Sequence, residues 1–399
     1  MPLSETDARR ALDAVPGLAW TPFARADAPA LLDLYAACER ADDNPERWSL
    51  AALLEYWDAP RSRPAEDVLV GRDPTTGDVV AVAWSGCNRA VTERRGVHLG
   101  GAVHPSLRGR GVGRAVMAWQ VAHAEAWNTS TRERGFGPLV LRLHAPAQQD
   151  DVRRLAARHG LQPTRWFVEM SRPLDDLPPA PPSDGVRLLD WSEGRSGEVH
   201  RVLDRAFADH WGHAYRTAEM WAEQTSASSF RPAWSVLAVD ETTDAVVGAA
   251  FSCAYVQDWT VEGRTEGYTD ELGVLRSHRG RGVARTLLVA SMRRFAAAGM
   301  DAAALGVDTE NPSGALGLYR WPGYVETATT CSADGRRPRP TAWMRDSGVG
   351  SARRPRYCAS RAGKRSTWSL NRSSPGPGTG SVRGMAFICC AVAGRTRRS

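Results

Sequence analysis

The sequence RGRGVG at residues 108–113 returns as RGRGVA at residues 279–284, exactly 171 positions later. A basic, glycine-rich run of this kind is typical of three sites: a nucleic-acid contact, a dinucleotide loop or a nucleotide-phosphate loop. Neither glycine pattern of the last two is present, because Arg114 stands where G-x-G-x-x-G needs its final glycine and no G-x-x-x-x-G-K-[ST] occurs. The flanking sequence therefore decides what the repeat does.

The repeat extends beyond the six residues into the segments on both sides. A predicted β-hairpin and a further strand precede each copy, and a stretch with apolar residues at helical spacing follows it. The matching helix faces are Ala284, Leu287, Leu288, Ser291, Met292, Phe295 and, 171 residues earlier, Gly113, Val116, Met117, Gln120, Val121, Ala124. Each face is apolar apart from one polar member. A duplicated unit of strands and helices predicts an α/β fold, more closely an α+β mixed-sheet sandwich.

The chain of 399 residues is long enough for two domains. Residues 173–185 are rich in proline and too polar to pack, which predicts a semi-rigid linker. We therefore expect an N-terminal domain at residues 1–172, a C-terminal domain at residues 186–332 and a tail at residues 333–399.

The tail carries most of the positive charge. From residue 336 onward there are fifteen basic residues and one acidic residue, whereas the preceding chain has 36 basic and 44 acidic residues. This composition predicts a disordered segment. Two alternatives are a basic arm for nucleic acid or an acidic membrane, and a segment translated from a shifted reading frame.

The overall composition excludes several classes of protein. The body is mildly acidic, which argues against a nucleic-acid-binding core. The seven cysteines show neither C-x-x-C nor metal-ligand spacing, so we expect no metal site and no disulfide framework. No stretch of about 18 apolar residues and no secretory leader is recognisable, which predicts a cytoplasmic protein without a membrane partner.

The turn itself has a physical use. A strand that runs into a helix through arginine and glycine presents unpaired backbone N–H groups at the helix N-terminus, where an anion binds well. Gly111 and Gly282 let the backbone approach a ligand closely, and the small Gly113 and Ala284 avoid a clash in the first helical turn. A tight turn with solvated arginines is the simpler alternative. Two copies in matched contexts favour the anion site.

The pattern [RQ]-x-x-G-x-[GA] resembles the pyrophosphate-binding signature of the GNAT superfamily of acyl-CoA N-acyltransferases. The resemblance covers residues 18–170 and 186–332, and the tandem layout is similar to that of actinobacterial two-domain members such as mycothiol synthase. It implies two GNAT-like domains, each with a mixed sheet flanked by helices, and acetyl-CoA lying in a V between two strands.

The resemblance also implies the residues that contact acetyl-CoA. In the C-terminal half these are Leu272, Gly273, Val274, Arg279, Gly280, Arg281, Gly282, Val283, Ala284 and Asn311. In the N-terminal half they are Val103, Arg108, Gly109, Arg110, Gly111, Val112 and Gly113. A backbone N–H near Gly273 or Val274 would polarise the thioester carbonyl, a role that needs no side chain.

Transfer to an amine needs a base and a proton donor for the departing thiolate. Asp270 and Glu271 offer carboxylates on the strand before the second turn, and strand alternation predicts that only one of them faces the substrate. Either could instead be a solvated or salt-bridged strand residue. The equivalent positions in the N-terminal half are Leu99 and Gly100, which cannot transfer protons.

The segment ENPSGALGLYRWPGY at residues 310–324 is similar to a family segment whose tyrosine protonates the CoA sulfur. The resemblance assigns that role to Tyr319 and a cofactor contact to Asn311. Simpler alternatives are core packing for Tyr319 and a helix N-cap for Asn311, which Pro312 follows. The matching positions of the N-terminal half hold Ala156 and Gln148, which predicts a degenerate first domain.

We therefore expect an N-acetyltransferase that moves an acetyl group from acetyl-CoA to a primary amine of a small molecule, as a monomer or homodimer without specific nucleic-acid partners. The C-terminal half would carry the chemistry. Two alternatives are a non-catalytic CoA-binding regulatory protein and a protein or peptide N-acetyltransferase.

Overall fold

The computed structural model describes residues 3–337 except 45, 61, 90, 92–94, 209, 211–214 and 311–314. The strands of this part of the chain are β1 (Ala19–Pro22), β2 (Val68–Arg72), β3 (Val79–Cys87), β4 (Arg95–Val103), β5 (Leu139–Pro146), β6 (Gln162–Pro173), β7 (Val186–Asp190), β8 (Val236–Asp240), β9 (Val246–Cys253), β10 (Glu266–Val274), β11 (Ala302–Asp308) and β12 (Val325–Arg337). Its α-helices are α1 (Glu5–Asp13), α2 (Ala28–Asp42), α3 (Leu50–Asp58), α4 (Pro64–Asp67), α5 (Val112–Thr131), α6 (Asp150–Arg158), α7 (Glu193–Ala206), α8 (Ala218–Ser226), α9 (Trp259–Glu262), α10 (Val283–Ala297) and α11 (Ala315–Arg320). None of these helices combines the length and apolar character that a membrane crossing requires.

All described strands belong to one mixed sheet in the order β1-β2-β3-β4-β5-β12-β6-β11-β10-β9-β8-β7. The last strand of each half lies in the other half, since β6 pairs with β11 and β12 pairs with both β5 and β6. The mixed α/β class is as expected, and helices cover the sheet. The two halves exchange strands, however, and therefore share one continuous sheet.

The final strand is longer than the sequence suggests. β12 continues to Arg337, so the boundary that we expect at residue 332 falls inside a strand. Arg337 is held at this end because its Nε lies 2.8 Å from Glu125 Oε1 and its Nη2 donates to the carbonyl of His159 at 2.8 Å. Residues 338–399 lie outside the described residues.

The structure reproduces the sequence repeat element by element. β4 and β10 end at Val103 and Val274, and α5 and α10 begin at Val112 and Val283, so both pairs keep the offset of 171 residues. Eleven of the twelve positions predicted for the two helix faces are buried, including the polar Gln120 and Ser291, and Ala284 is partly buried. The repeat is therefore structural as well as sequential.

The proline-rich linker packs against the protein, contrary to the expectation from its polarity. Residues 174–185 form no helix or strand, but Leu177 and Ala180 lie against the apolar cluster around α10. Thr286 Oγ1 of α10 donates a hydrogen bond to the carbonyl of Pro181 at 2.8 Å. The linker is therefore held by two partly buried apolar side chains and by this hydrogen bond to α10.

Candidate active site

The two basic turns have the same backbone. Gly109 and Gly111 have φ angles of 80° and 88°, and Gly280 and Gly282 have 80° and 81°. Only glycine adopts this left-handed region easily, which explains both glycines of each copy. Among the described residues, no backbone carbonyl accepts a hydrogen bond from the N–H groups of residues 109–113 or 280–284. Each turn therefore presents free amides at a helix N-terminus, as an anion site requires.

The signature arginines support the turn. Arg108 Nε donates to the carbonyl of Val103 at 3.2 Å, and Arg279 Nε donates to that of Val274 at 3.1 Å. Arg108 also forms a two-pronged ion pair with Asp42, with N···O distances of 2.6 and 3.0 Å. Arg108 thus joins the end of β4 to α2, and Arg279 joins the end of β10 to α7, because its Nη2 donates to the carbonyl of Ala206 at 2.8 Å.

Both halves contain an opening between two parallel strands. β10 pairs with β11 only from Glu266 to Tyr268, and the rest of β10 runs on to Val274 without β11. β4 likewise pairs with β5 only as far as His98. The residues Leu272, Gly273 and Val274 lie along the open part, as the sequence predicts. The opening ends at the anion site, so an elongated ligand can reach both.

A β-bulge distinguishes the second opening from the first. The register of β10 against β9 shifts between Thr269 and Glu271, which places a β-bulge at Asp270, whereas β4 pairs with β3 without a shift. Asp270 Oδ1 accepts a hydrogen bond from Tyr255 at 2.9 Å, and Glu271 contacts Arg216. Both partners pack on the α7 side of the sheet. The expectation that the two carboxylates lie on opposite faces is wrong, because the bulge breaks the alternation.

Glu271 belongs to a buried ionic network that the sequence did not reveal. Its Oε1 accepts hydrogen bonds from Arg216 Nη1 at 2.6 Å and from Gln224 Nε2 at 2.8 Å, and only 3% of the residue is exposed. Arg216 also donates to Asp204 Oδ1 at 2.9 Å. Burial alone lowers the pKa of Arg216, but the Glu271 and Asp204 carboxylates raise it above its usual value. Asp270 is only half-buried and is the carboxylate more open to a ligand.

Tyr319 lies on α11, in the same apolar cluster as Leu272 of the open strand. Burial raises the pKa of its hydroxyl to about 12, so the phenol stays protonated at neutral pH. Its ring centroid is 6.4 Å from that of the buried Tyr324. Tyr319 therefore packs against this cluster and keeps its hydroxyl proton at neutral pH. Asn311 lies outside the described residues.

The linker contacts the second turn and not the first. The carbonyl oxygen of Pro182 is so close to Gly282 that a Cβ there would come within 2.8 Å of it, whereas the same test at Gly111 meets only Arg114 at 3.6 Å. No residue pattern announces this contact, since it depends on the path of the linker over α10. The second anion site is thereby bounded by linker backbone on one side.

In the first half, an aromatic ring occupies the place that matches Glu271. A Cβ on Gly100 would come within 2.2 Å of the Trp84 ring, so the glycine lets that ring pack on the strand. Leu99, in the place of Asp270, is buried, and Ala156, in the place of Tyr319, is fully buried on α6. As the sequence suggests, the first opening lacks proton-transferring groups at these positions.

Comparison with known proteins identifies the class to which this fold and site belong. The sequence profile of the Acetyltransferase (GNAT) family matches residues 198–324. The crystal structure of a GCN5-related N-acetyltransferase from Sphaerobacter thermophilus superposes with a TM-score of 0.64 at 24% identity, covering 81% of this chain and 97% of that one. A tandem GNAT protein from the clavulanic acid biosynthesis pathway gives 0.55 at 17% identity, covering 81% and 100%. Both share the fold.

Two named relatives show the family directly. The mycothiol acetyltransferase of Thermobispora bispora is 32% identical over 226 residues, which is 55% of this chain and 71% of the relative. That of Mycolicibacterium vanbaalenii is 30% identical over 289 residues, 66% of this chain and 91% of the relative. The chain belongs to the GNAT family and is an acetyl-CoA-dependent N-acetyltransferase.

Proposed function

We propose that acetyl transfer takes place only in the second half and that the acceptor is a primary amine of a small molecule. The β-bulge at Asp270 carries this proposal, because it places a half-buried carboxylate beside the open strands, and the first half has neither bulge nor carboxylate there. The first half is then a degenerate domain that supports the second.

Acetyl-CoA would lie along the open edge of β10 and the turn that follows it. The free amides of residues 280–284 would bind the pyrophosphate, and the open edge at residues 272–274 would pair with the pantetheine. An N–H near Gly273 or Val274 would donate to the thioester oxygen as negative charge develops there, and one such donor is typically worth about 10²–10³-fold in rate.

The proton transfers follow from the two carboxylates and the tyrosine. Asp270 removes a proton from the attacking amine, directly or through a water molecule, because its carboxylate is only half-buried whereas that of Glu271 is buried against Arg216. The amine nitrogen bonds to the carbonyl carbon and the carbon–sulfur bond breaks. Tyr319 gives its proton to the departing sulfur and becomes a phenolate. The proton that Asp270 has taken from the amine then passes through solvent to the Tyr319 phenolate, so both residues return to their starting state.

Contacts between the halves favour a small acceptor over a protein. The N–H of Arg47 donates to Asp258 Oδ1 at 2.7 Å, and the N–H of Ser228 donates to Glu55 Oε1 at 3.1 Å. The first half thus contacts the segment after α8 and the loop between β9 and β10, which also carries Tyr255, the hydrogen-bond donor to Asp270. The relatives named mycothiol acetyltransferase support an acceptor of this class. A cytoplasmic location and a disordered tail stay predictions.

The proposal is tested by acetyl-CoA turnover with a panel of small amines and peptides, read as release of the free CoA thiol. We expect Asp270→Asn and Tyr319→Phe each to lower kcat by about 10²–10⁴-fold, the usual contribution of a general base or acid, with CoA affinity unchanged. Matched controls are Asp33→Asn on α2 and Tyr56→Phe on α3, both in the first half and both expected to keep full activity.

Three results would overturn parts of the proposal. Full turnover by Asp270→Asn and Tyr319→Phe would show that these residues are not the base and the acid of the reaction. Tight CoA binding without turnover on any amine favours the regulatory alternative. Turnover on peptides alone favours a protein or peptide N-acetyltransferase.

A further inference from the structure

Three side chains of different chemistry meet in the first half, away from the acetyl-transfer site. Asp67 of α4, Cys87 of β3 and His123 of α5 each bring one donor atom within 4.8 Å of the other two. Asp67 and Cys87 are buried, and 12% of the His123 side chain is exposed. A carboxylate oxygen, a thiol sulfur and an imidazole nitrogen therefore converge on one point of the core.

We propose that Asp67, Cys87 and His123 bind a zinc ion. Zinc accepts nitrogen, sulfur and oxygen donors together and needs three or four protein ligands, whereas magnesium and calcium require oxygen ligands. The sulfur donor also disfavours manganese. Three protein ligands leave one tetrahedral position for a further ligand.

The groups around the three donors are those that hold zinc ligands in place. His123 Nδ1 lies 2.6 Å from Glu5 Oε1, and Nε2 lies 3.0 Å from Asp67 Oδ1. A histidine that binds a metal usually donates its other N–H to a carboxylate, which is the role available to Glu5. Arg89 Nη1 donates to Asp67 Oδ2 at 2.6 Å, so the carboxylate is oriented as well.

The charges of the cluster are consistent with a divalent cation. A thiolate at Cys87 with the carboxylates of Asp67, Glu5 and the exposed Glu66 carries four negative charges, and Arg89, which contacts Asp67 and Glu66, neutralises one. Zinc would neutralise two of the remaining three. Without metal, the same contacts form an ionic network in which a protonated His123 lies between the carboxylates of Glu5 and Asp67 and Cys87 is a thiol. The experiment must distinguish this metal-free network from a zinc site.

A zinc ion here would serve the stability of the first half. It would tie α4 and β3 to α5, while Glu5 holds α1 against the same histidine. The sequence could not indicate such a site, because the set contains a single cysteine and its members are far apart along the chain. The expectation of no metal came from cysteine spacing, which does not apply to this donor set.

The test uses the full chain, stripped of metal by a chelator and titrated with Zn²⁺ and Co²⁺. We expect one zinc per chain by elemental analysis, and with Co²⁺ the intense visible bands of tetrahedral coordination together with a sulfur-to-cobalt charge-transfer band. Cys87→Ser should remove the charge-transfer band, and His123→Gln should lower affinity strongly. Cys38→Ser is the matched control, a buried cysteine of the same half that bonds a backbone carbonyl.

A second variant keeps the test decisive if substitution of a ligand prevents folding. Glu5→Gln removes only the group behind His123 and should weaken zinc binding about 10–100-fold while the circular dichroism spectrum stays unchanged. Absence of stoichiometric zinc and of the charge-transfer band in the folded wild-type chain would overturn the proposal and leave the ionic network as the explanation. Equal zinc binding by wild type, Cys87→Ser and Glu5→Gln would place the metal elsewhere.

Discussion

The two halves share a basic turn with matching glycine φ angles, yet the strands that lead into the two turns differ by one residue in their pairing with the neighbouring strand. The seven residues from Val97 to Val103 face seven residues of β3, whereas the seven from Tyr268 to Val274 face only six of β9. The extra residue of β10 forms the bulge at Asp270. The two halves thus have the same local turn. They differ in the bulge of β10, which lets two neighbouring carboxylates lie on one face of the sheet, whereas β4 has no bulge.

The largest expected difference between the two halves comes from removing Arg216, the cation that pairs with Glu271 in the second half. Arg216→Met leaves the buried carboxylate of Glu271 without its cationic partner and should lower the free energy of unfolding by about 3–5 kcal/mol. The first half needs no such cation, because Gly100 stands at the position of Glu271. Urea unfolding measures the loss. Arg187→Met, which removes an exposed ion pair with Asp244, is the control and should cost under about 1 kcal/mol. Equal losses would show that Glu271 does not depend on Arg216.

A second prediction tests whether the first half acts through packing. Burial raises the pKa of Glu39 to about 7 from 4.5, Arg47 opposes the shift, and Asp258 of the second half adds to it. With a carboxyl pKa that is raised on folding, the protein is most stable below about pH 4.5 and loses roughly 3 kcal/mol of stability as the pH rises from there through about 7. Glu39→Gln should abolish this dependence in pH-dependent unfolding without changing kcat.

Glu133→Gln, an exposed residue of the same half, is the control for that measurement and should leave the pH dependence as in wild type. A fall in kcat with Glu39→Gln would contradict the purely supporting role of the first half.

The smallest expected effect compares the two turns directly. Gly282→Ala strains a positive φ and brings the new Cβ to 2.8 Å from the Pro182 carbonyl, whereas Gly111→Ala meets only the strain. We expect the KM for acetyl-CoA to rise about tenfold in the first variant, equivalent to about 1.4 kcal/mol of binding, and to stay close to wild type in the second. A similar rise in both would mean that both turns serve the reaction.

The sequence by itself determined the local features. The two turns, the helix faces, the strand that carries Asp270 and Glu271, and the absence of proton-transferring groups at Leu99, Gly100 and Ala156 could all be predicted. These features depend on neighbouring residues, because glycine alone relaxes the backbone into positive φ and because helical periodicity is visible within a few turns.

Only the tertiary structure decided how these pieces work together. The exchange of β6 and β12, the bulge, the ion pair of Glu271 with Arg216, the linker against Gly282 and the meeting of Asp67, Cys87 and His123 all join residues distant in the chain. Each depends on which strand lies beside which and in what register. That choice is set by the packing of the whole sheet, which no local pattern records.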